Sequence, residues 1–154
     1  MRRTFSKWVV ATLLLGVATP GHAGAGMPRV DSWQVLPVDT LNAAIAAAAE
    51  AHQAWAHDPI QIALHEANAL PAAVAERSDF SLTWKGDDVE NPTSGVLVTT
   101  EEGLKDDSVT AVWTRFRMTR QADGSWRVAA WHVAYRCARG TAAKMRSFHR
   151  DLCP

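Results

Sequence analysis

Histidines, carboxylates, arginines and one pair of cysteines are the residues of this 154-residue chain that could do chemistry, and their spacing limits which chemistry. His52, His57 and the pair His65-Glu66 crowd one stretch. Five residues separate His52 from His57, which puts them on different helix faces, and no His-Glu-x-x-His or comparable ligand spacing occurs, so no metal is expected. His132 stands in a strand-like run beside Trp131 and reads as a core or edge residue. The acidic groups Asp87-Asp88, Glu90, Glu101-Glu102 and Asp106-Asp107 could share calcium only if two loops met, and they lack the spaced oxygens and central Gly of an EF-hand. They are expected to be solvated acidic loops. Neither a phosphate-cradling glycine loop nor a Gly-x-Ser-x-Gly elbow is present, so no catalytic residue and no cofactor is assigned. If the chain does build an acid/base pocket, His52, His132, Glu66 and Tyr135 are the residues available for it.

Charge is segregated along the chain. Between Asp31 and Asp107 stand 14 acidic and 3 basic residues, and from Ser108 to the end 2 acidic and 9 basic ones. Arg115 and Arg117 alternate with Phe116 between them, and Arg120 and Arg127 flank a chain reversal. Arg115, Arg117, Arg127 and Arg139 form the candidate anion-binding set. The expectation is nevertheless that the acidic stretches 86–90 and 101–107 fold across these arginines and pair them internally, because 101–107 lie directly before the basic half. Nucleic acid is therefore not an expected partner. Cys137 and Cys153 are the only cysteines, so one intrachain pairing exists. A redox-active pair would sit two residues apart at a helix start; this one instead reads as a structural disulfide, worth about 3 kcal/mol for a loop of about 15 residues.

The elements that must position these groups centre on Ser108 to Cys137, two strand-like segments joined by Gln-Ala-Asp-Gly. Asp123-Gly124 is a hairpin signal, since Gly accepts the positive φ of a tight reversal. A two-residue turn there pairs Phe116 with Trp131 and Val112 with Tyr135; a three-residue loop pairs Phe116 with Ala130. Trp126 and Val128 are even, whereas Trp131, Val133, Tyr135 and Cys137 are odd, so the second strand is either bulged near Ala129-Ala130 or buried on both faces at one end.

Ahead of that ribbon, Gly24 to Pro37 reads as an extended arm or edge strand. A helix capped by Asp39 or Thr40 is expected to run to Trp55 or His57, with Leu41, Ala44, Ile45, Ala48, Ala51, His52 and Trp55 on one face. Residues 59–68 are narrowly a helix, opened by Asp58-Pro59, although Ile60, Ile62 and Leu64 alternate as in a strand. A helical turn or loop at Pro71–Glu76, strands through Phe80-Leu82-Trp84 and Val96–Thr100, and a last helix with Met145, Phe148 and Leu152 on one face complete the reading. The fold class is α+β: N-terminal helices packed on an antiparallel meander of about four strands, with a C-terminal helix fastened by the disulfide.

Asp123-Gly124-Ser125-Trp126 in the last hairpin, after a helix and a meander, loosely resembles the cystatin-like and nuclear-transport-factor-like α+β group. The resemblance rests on this one motif and implies a helix cradled by a curved sheet, a form that hosts enzymes and binding domains alike. Residues 1–25 read as a signal peptide, with Arg2, Arg3 and Lys7, an apolar run from Trp8 to Ala18, and small residues at Ala23 and Ala25; 26–154 form one domain, about −3 in charge. The run is too short to span a bilayer, so no membrane span is expected in the mature form. Arg2-Arg3-Thr4-Phe5-Ser6-Lys7 resembles the twin-arginine export signal, and the general secretory route stands beside it. The expected product is periplasmic or secreted. As a function, the sequence points to a small non-catalytic binding or interaction module for an envelope or secreted partner or a small ligand. The alternatives are a small pocket-type hydrolase or isomerase and an anionic-polymer binder. A cavity with two ionisable groups favours the enzyme, a flat apolar patch the protein partner, and an uncovered arginine stripe the anion binder.

Overall fold

The first strand among the described residues is a three-residue one, β1 (Gln34–Leu36). Helix α1 (Asp39–Glu50), a 3-10 turn (Ala54–His57) and helix α2 (Pro59–Ala69) follow. Four strands then run in sequence, β2 (Asp79–Gly86), β3 (Ser94–Glu102), β4 (Val109–Arg120) and β5 (Trp126–Cys137), before a short helix, α3 (Ala142–Arg146). The computed structural model describes residues 28–69, 79–104 and 106–153; the signal peptide expected at 1–25 and the turn expected at Pro71–Glu76 lie outside them. All strand pairs are antiparallel, in the order β1-β5-β4-β3-β2. The α+β class holds, and the arm adds a fifth strand on the far side of β5.

α1 ends at Glu50, earlier than the alanine run suggests. The amide of Gln53 reaches back to the carbonyl of Ala48 (2.8 Å) and that of His52 to Ala49 (3.0 Å), while His52 takes φ 53°. This is the helix-closing pattern in which a left-handed residue turns the chain out of the helix. At the other end Val38 is the N-cap, without a side-chain cap bond, and Asp39 is already helical, where its charge suits the helix dipole. Leu41, Ile45 and Ala48 are the buried face. α2 is helix as expected, and the Asp58 carboxylate accepts from the Ile60 amide at 2.8 Å. Ile62 and Ala63 pack with α1 against Leu97, Phe116, Met118, Trp126 and Val128 from the sheet. Both helices therefore lie on one face, here called the inner face.

The ribbon combines both of the registers the sequence allows. Gln121 and Ser125 close a three-residue loop in which Gly124 takes φ 83°, and Arg120 pairs with Trp126 and Met118 with Val128. Ala129 is then skipped, and Phe116 pairs with Trp131 and Val112 with Tyr135. The bulge is why the apolar parity changes: even residues before it and odd residues after it all face inward. β1 pairs with β5 only from Trp131 to Val133, so Val128 lacks a strand neighbour there. The Asn42 side chain takes that place, donating to the Val128 carbonyl (2.9 Å) and accepting from its amide (2.8 Å). One helix side chain thus continues the ladder.

The opposite, outer face is covered by the two chain ends. The last helix is shorter than expected: α3 stops at Arg146, and Ser147 is extended. A five-residue helix has little stability of its own, and the tail's backbone groups find better partners elsewhere. Tyr135 and His149 exchange two backbone bonds (2.8 and 2.9 Å), the Phe148 amide donates to Arg29 (2.9 Å), and the Asp31 amide donates to Phe148 (2.9 Å). Phe148 is buried with Ala111, Trp113 and Ala134 on this face, whereas Met145 and Leu152 are exposed. Cys137 and Cys153 are bonded, with Cα atoms 5.4 Å apart and a sequence separation of 16. What the disulfide fastens is this extended tail rather than a helix.

Candidate functional site

Because β3, β4 and β5 are in register, their inward residues form rows across the sheet. One row is Glu101, Val112 and Tyr135; the next is Thr99, Thr114 and Val133; the third is Leu97, Phe116 and Trp131, extended by Leu36 of β1. Successive rows lie about 7 Å apart. α2 lies over them with Ala63 and Glu66, and between helix and sheet a cavity of about 240 Å³ remains, lined by all of these residues except Leu97. Polarity is graded along it. Glu101 and Tyr135 stand at one end, the two threonines in the middle, and Phe116, Trp131 and Leu36 at the other, with Glu66 lining it from α2.

The ionisable groups in this pocket are unequal. Burial pushes the Glu66 carboxyl up from its ordinary value, and the neighbouring His65 only partly opposes this. The same loss of hydration raises the Tyr135 phenol, so it remains a neutral hydrogen-bond donor across physiological pH. Glu101 is 2% exposed, the most buried carboxylate described. It had been expected in a solvated acidic loop, but β3 extends through Glu102 and turns Glu101 inward. The alternation Leu97, Thr99, Glu101 is the signal that reveals it. Trp131 forms part of the wall, and its buried indole N–H has no acceptor among the described residues.

Of the four residues available for an acid/base pocket, Glu66 and Tyr135 meet here and the two histidines do not. His52 is exposed and closes α1. His132 pairs with Arg115 and Val35 and faces outward, its ring 5.6 Å from that of Trp33. Desolvation, then Arg115 and Arg117, hold its pKa below the usual imidazole range. No group of three or more His, Cys, Asp or Glu residues suited to a metal exists among the described residues.

A serine, a histidine and an aspartate do converge on the outer side. Ser147 donates to Asp31 (2.7 Å) and lies 3.0 Å from Nε2 of His149, which is itself 3.6 Å from Asp31. In a nucleophilic triad the acid holds the other ring nitrogen and the hydroxyl is open to substrate. Here acid and hydroxyl share Nε2, and Ser147 is 3% exposed. Hydrogen bonds from Ser147 and then Arg29 hold the Asp31 carboxyl below its usual range, so the cluster locks tail to arm.

The arginines divide into two sets. Arg136 meets Glu102 at 3.2 Å, and Arg139 lies 4.0 Å from Asp107 and 3.3 Å from the Ser108 hydroxyl. Arg115, Arg117 and Arg127 face outward and make no ion pair among the described residues. Among the described residues the acidic stretches do not reach these three arginines. Asp87 accepts from the amides of Thr93 and Ser94, Asp88 from those of Glu90 and Asn91, and Asp106 from those of Ser108 and Val109. These three carboxylates close their own loops, while Glu102 and Asp107 reach Arg136 and Arg139, so the expected pairing occurs there and not at Arg115, Arg117 or Arg127.

A scan against family models finds no match, and searches of the curated proteins and of the solved structures find none either. Among the described residues no helix is long and apolar enough to cross a membrane, and the disulfide is compatible with an exported protein.

Proposed function

We propose that this domain is an exported binding module whose target is a compact, largely apolar small molecule held in the inner pocket. The observation that carries the reading is the concavity itself: a cavity of about 240 Å³ with apolar walls and oxygen groups converging from three strands and a helix. At about 30 Å³ per water this is room for about eight waters, so the ligand is small. Its polar end would meet Glu66 and Tyr135, and its apolar body Phe116, Val133 and Leu36. No basic side chain lines the pocket among the described residues, which favours neutral or cationic ligands over carboxylates. A flat apolar patch for a protein partner has less support than this cavity.

A second reading is favoured by one specific contrast. Glu66, whose carboxyl pKa burial holds above its ordinary value, is the candidate proton carrier, while Tyr135 donates to a ligand oxygen. That pair would make the module a proton-transfer enzyme of the isomerase or hydrolase kind.

Ligand-observed NMR with a library of small neutral molecules and amines tests the first reading. Val112→Phe, at a half-buried pocket position, should cut the affinity of each hit at least tenfold, and hits that bind the variant equally well would place the site elsewhere. For the second reading, wild type should promote deuterium exchange into a bound ligand, and Glu66→Gln should abolish it.

A further inference from the structure

The outer face carries a second concavity, independent of the inner pocket and opposite to it in charge. The arm residues Pro28, Val30 and Trp33 stand along one side, Val96, Val98 and Trp113 form the floor, and about 520 Å³ is enclosed between them, Thr83, Lys85 and Arg115. The strand register orders this groove. Trp113 and Ala134 share one row; Thr83, Val98, Arg115 and His132 the next; Lys85, Val96 and Arg117 the one after. Moving along β4 from Trp113 to Arg117, about 14 Å, the surface passes from indole and valine to three cations. The nearest acidic loops are occupied by their own amides, and Lys85, Arg115 and Arg117 make no ion pair among the described residues.

We propose that this groove binds a free, single-headed anionic amphiphile, with its apolar body against Trp113, Val98 and Val30 and its anionic head against Lys85, Arg115 and Arg117. Charge complementarity selects the head: Lys85 and Arg115 in the lining and Arg117 just beyond it, none in an ion pair among the described residues, favour a carboxylate, sulfate or phosphate. The apolar floor selects the body, since Trp113 and Val98 give nothing to a fully hydrated ion. Concavity selects a free molecule over a bilayer surface, because the groove takes a chain in rather than presenting a ridge that could enter lipid. Arg115 and Arg117 also act on His132, which they help to keep neutral, a sign of the positive field at this end. Trp33, 46% exposed, overhangs the groove from the arm and would be covered by the bound chain.

Titration with decanoate below its micellar concentration, followed by tryptophan fluorescence and calorimetry, tests the proposal. Decanoate and decyl sulfate should bind, and decyltrimethylammonium at least tenfold more weakly. Changing Arg115 and Arg117 together to Gln, at outward strand positions that the core does not need, should weaken the anions about tenfold or more and leave decanol unchanged. Val112→Phe, which fills the inner pocket, should not alter decanoate binding. Equal affinity for the cationic amphiphile, unchanged decanoate binding in the double variant, or binding only to anionic vesicles would each overturn it. Loss of decanoate binding in Val112→Phe would assign the amphiphile to the inner pocket instead and equally refute this site.

Discussion

The two faces of the sheet are made from the same three strands yet are opposite in character. Inward positions of β3 to β5 carry Glu101, Tyr135 and two threonines beneath α2, while outward positions one residue away carry Arg115, Arg117 and His132. Strand alternation is therefore used to sort charge as well as hydrophobicity. A sheet only one residue thick separates an acidic pocket from a basic groove. Because the groups point to opposite sides, neither set neutralises the other at contact distance, and each face favours ligands of the charge opposite to its own.

Removing one half of this pair at a time sharpens the contrast. The largest effect is expected from Cys153→Ser, which frees the tail from the end of β5 and should lower stability by about 3 kcal/mol for this loop. In thermal unfolding that is a fall of roughly 6 to 12 °C. Hydrogen exchange should rise first at Phe148 and His149 on the outer side, while the affinity of inner-pocket ligands stays within about twofold. Protection lost first in α1 would mean that the disulfide supports the inner face as well.

Asn42→Ala acts on the inner side. It strips both hydrogen bonds from Val128 beside the bulge and should cost about 2 kcal/mol, read as a shift in denaturant midpoint at unchanged slope. Inner-pocket ligands should weaken with it and decanoate should not.

The smallest effect concerns Glu66. Its folded pKa is raised, so the stability it contributes is present at low pH and lost as pH rises through that folded value. Glu66→Gln should therefore match wild type near pH 4 and be the more stable of the two at neutral pH and above. Equal melting temperatures at both pH values would show that Glu66 is not desolvated, and the acid/base reading of the pocket would fall with it.

Much of the architecture was legible because it rests on local signals. The helix at 59–69 follows from Asp58-Pro59, the hairpin from Asp123-Gly124, and the break near Ala129 from the change of strand parity, whereas the choice between pairing Phe116 with Trp131 or with Ala130 is decided only by the bulge. The disulfide follows from there being two cysteines. What escaped depends on contacts distant in sequence. Glu101 sits in an acid-rich run that reads as a loop, and only its pairing with Val112 and Phe80 draws it into β3. The tail reads as a helix by its spacing of Met145, Phe148 and Leu152, but Arg29, Asp31 and Tyr135 capture its backbone first. His52 looks like chemistry and serves as a helix terminator, since a left-handed conformation leaves no mark in composition. Of the pocket's three ionisable side chains, Glu66 and Tyr135 were named from the sequence and Glu101 was not.

The bulge at Ala129 has a consequence for how this protein can change in length. Dropping one residue from the middle of a strand ordinarily inverts everything beyond it, sending the core side to solvent. Ala129 is the exception, since it faces no partner: Met118 is paired with Val128 and Arg117 with Ala130 on either side of it. Its deletion would leave Trp131, Val133 and Tyr135 inward and every existing pair intact, costing only the local bend. Thr110 occupies the same position in β4, between the pairs Val109–Cys137 and Ala111–Arg136. Insertions and deletions are usually tolerated in loops, yet this sheet holds two sites in its interior where a codon could be lost and the reading of inside and outside preserved.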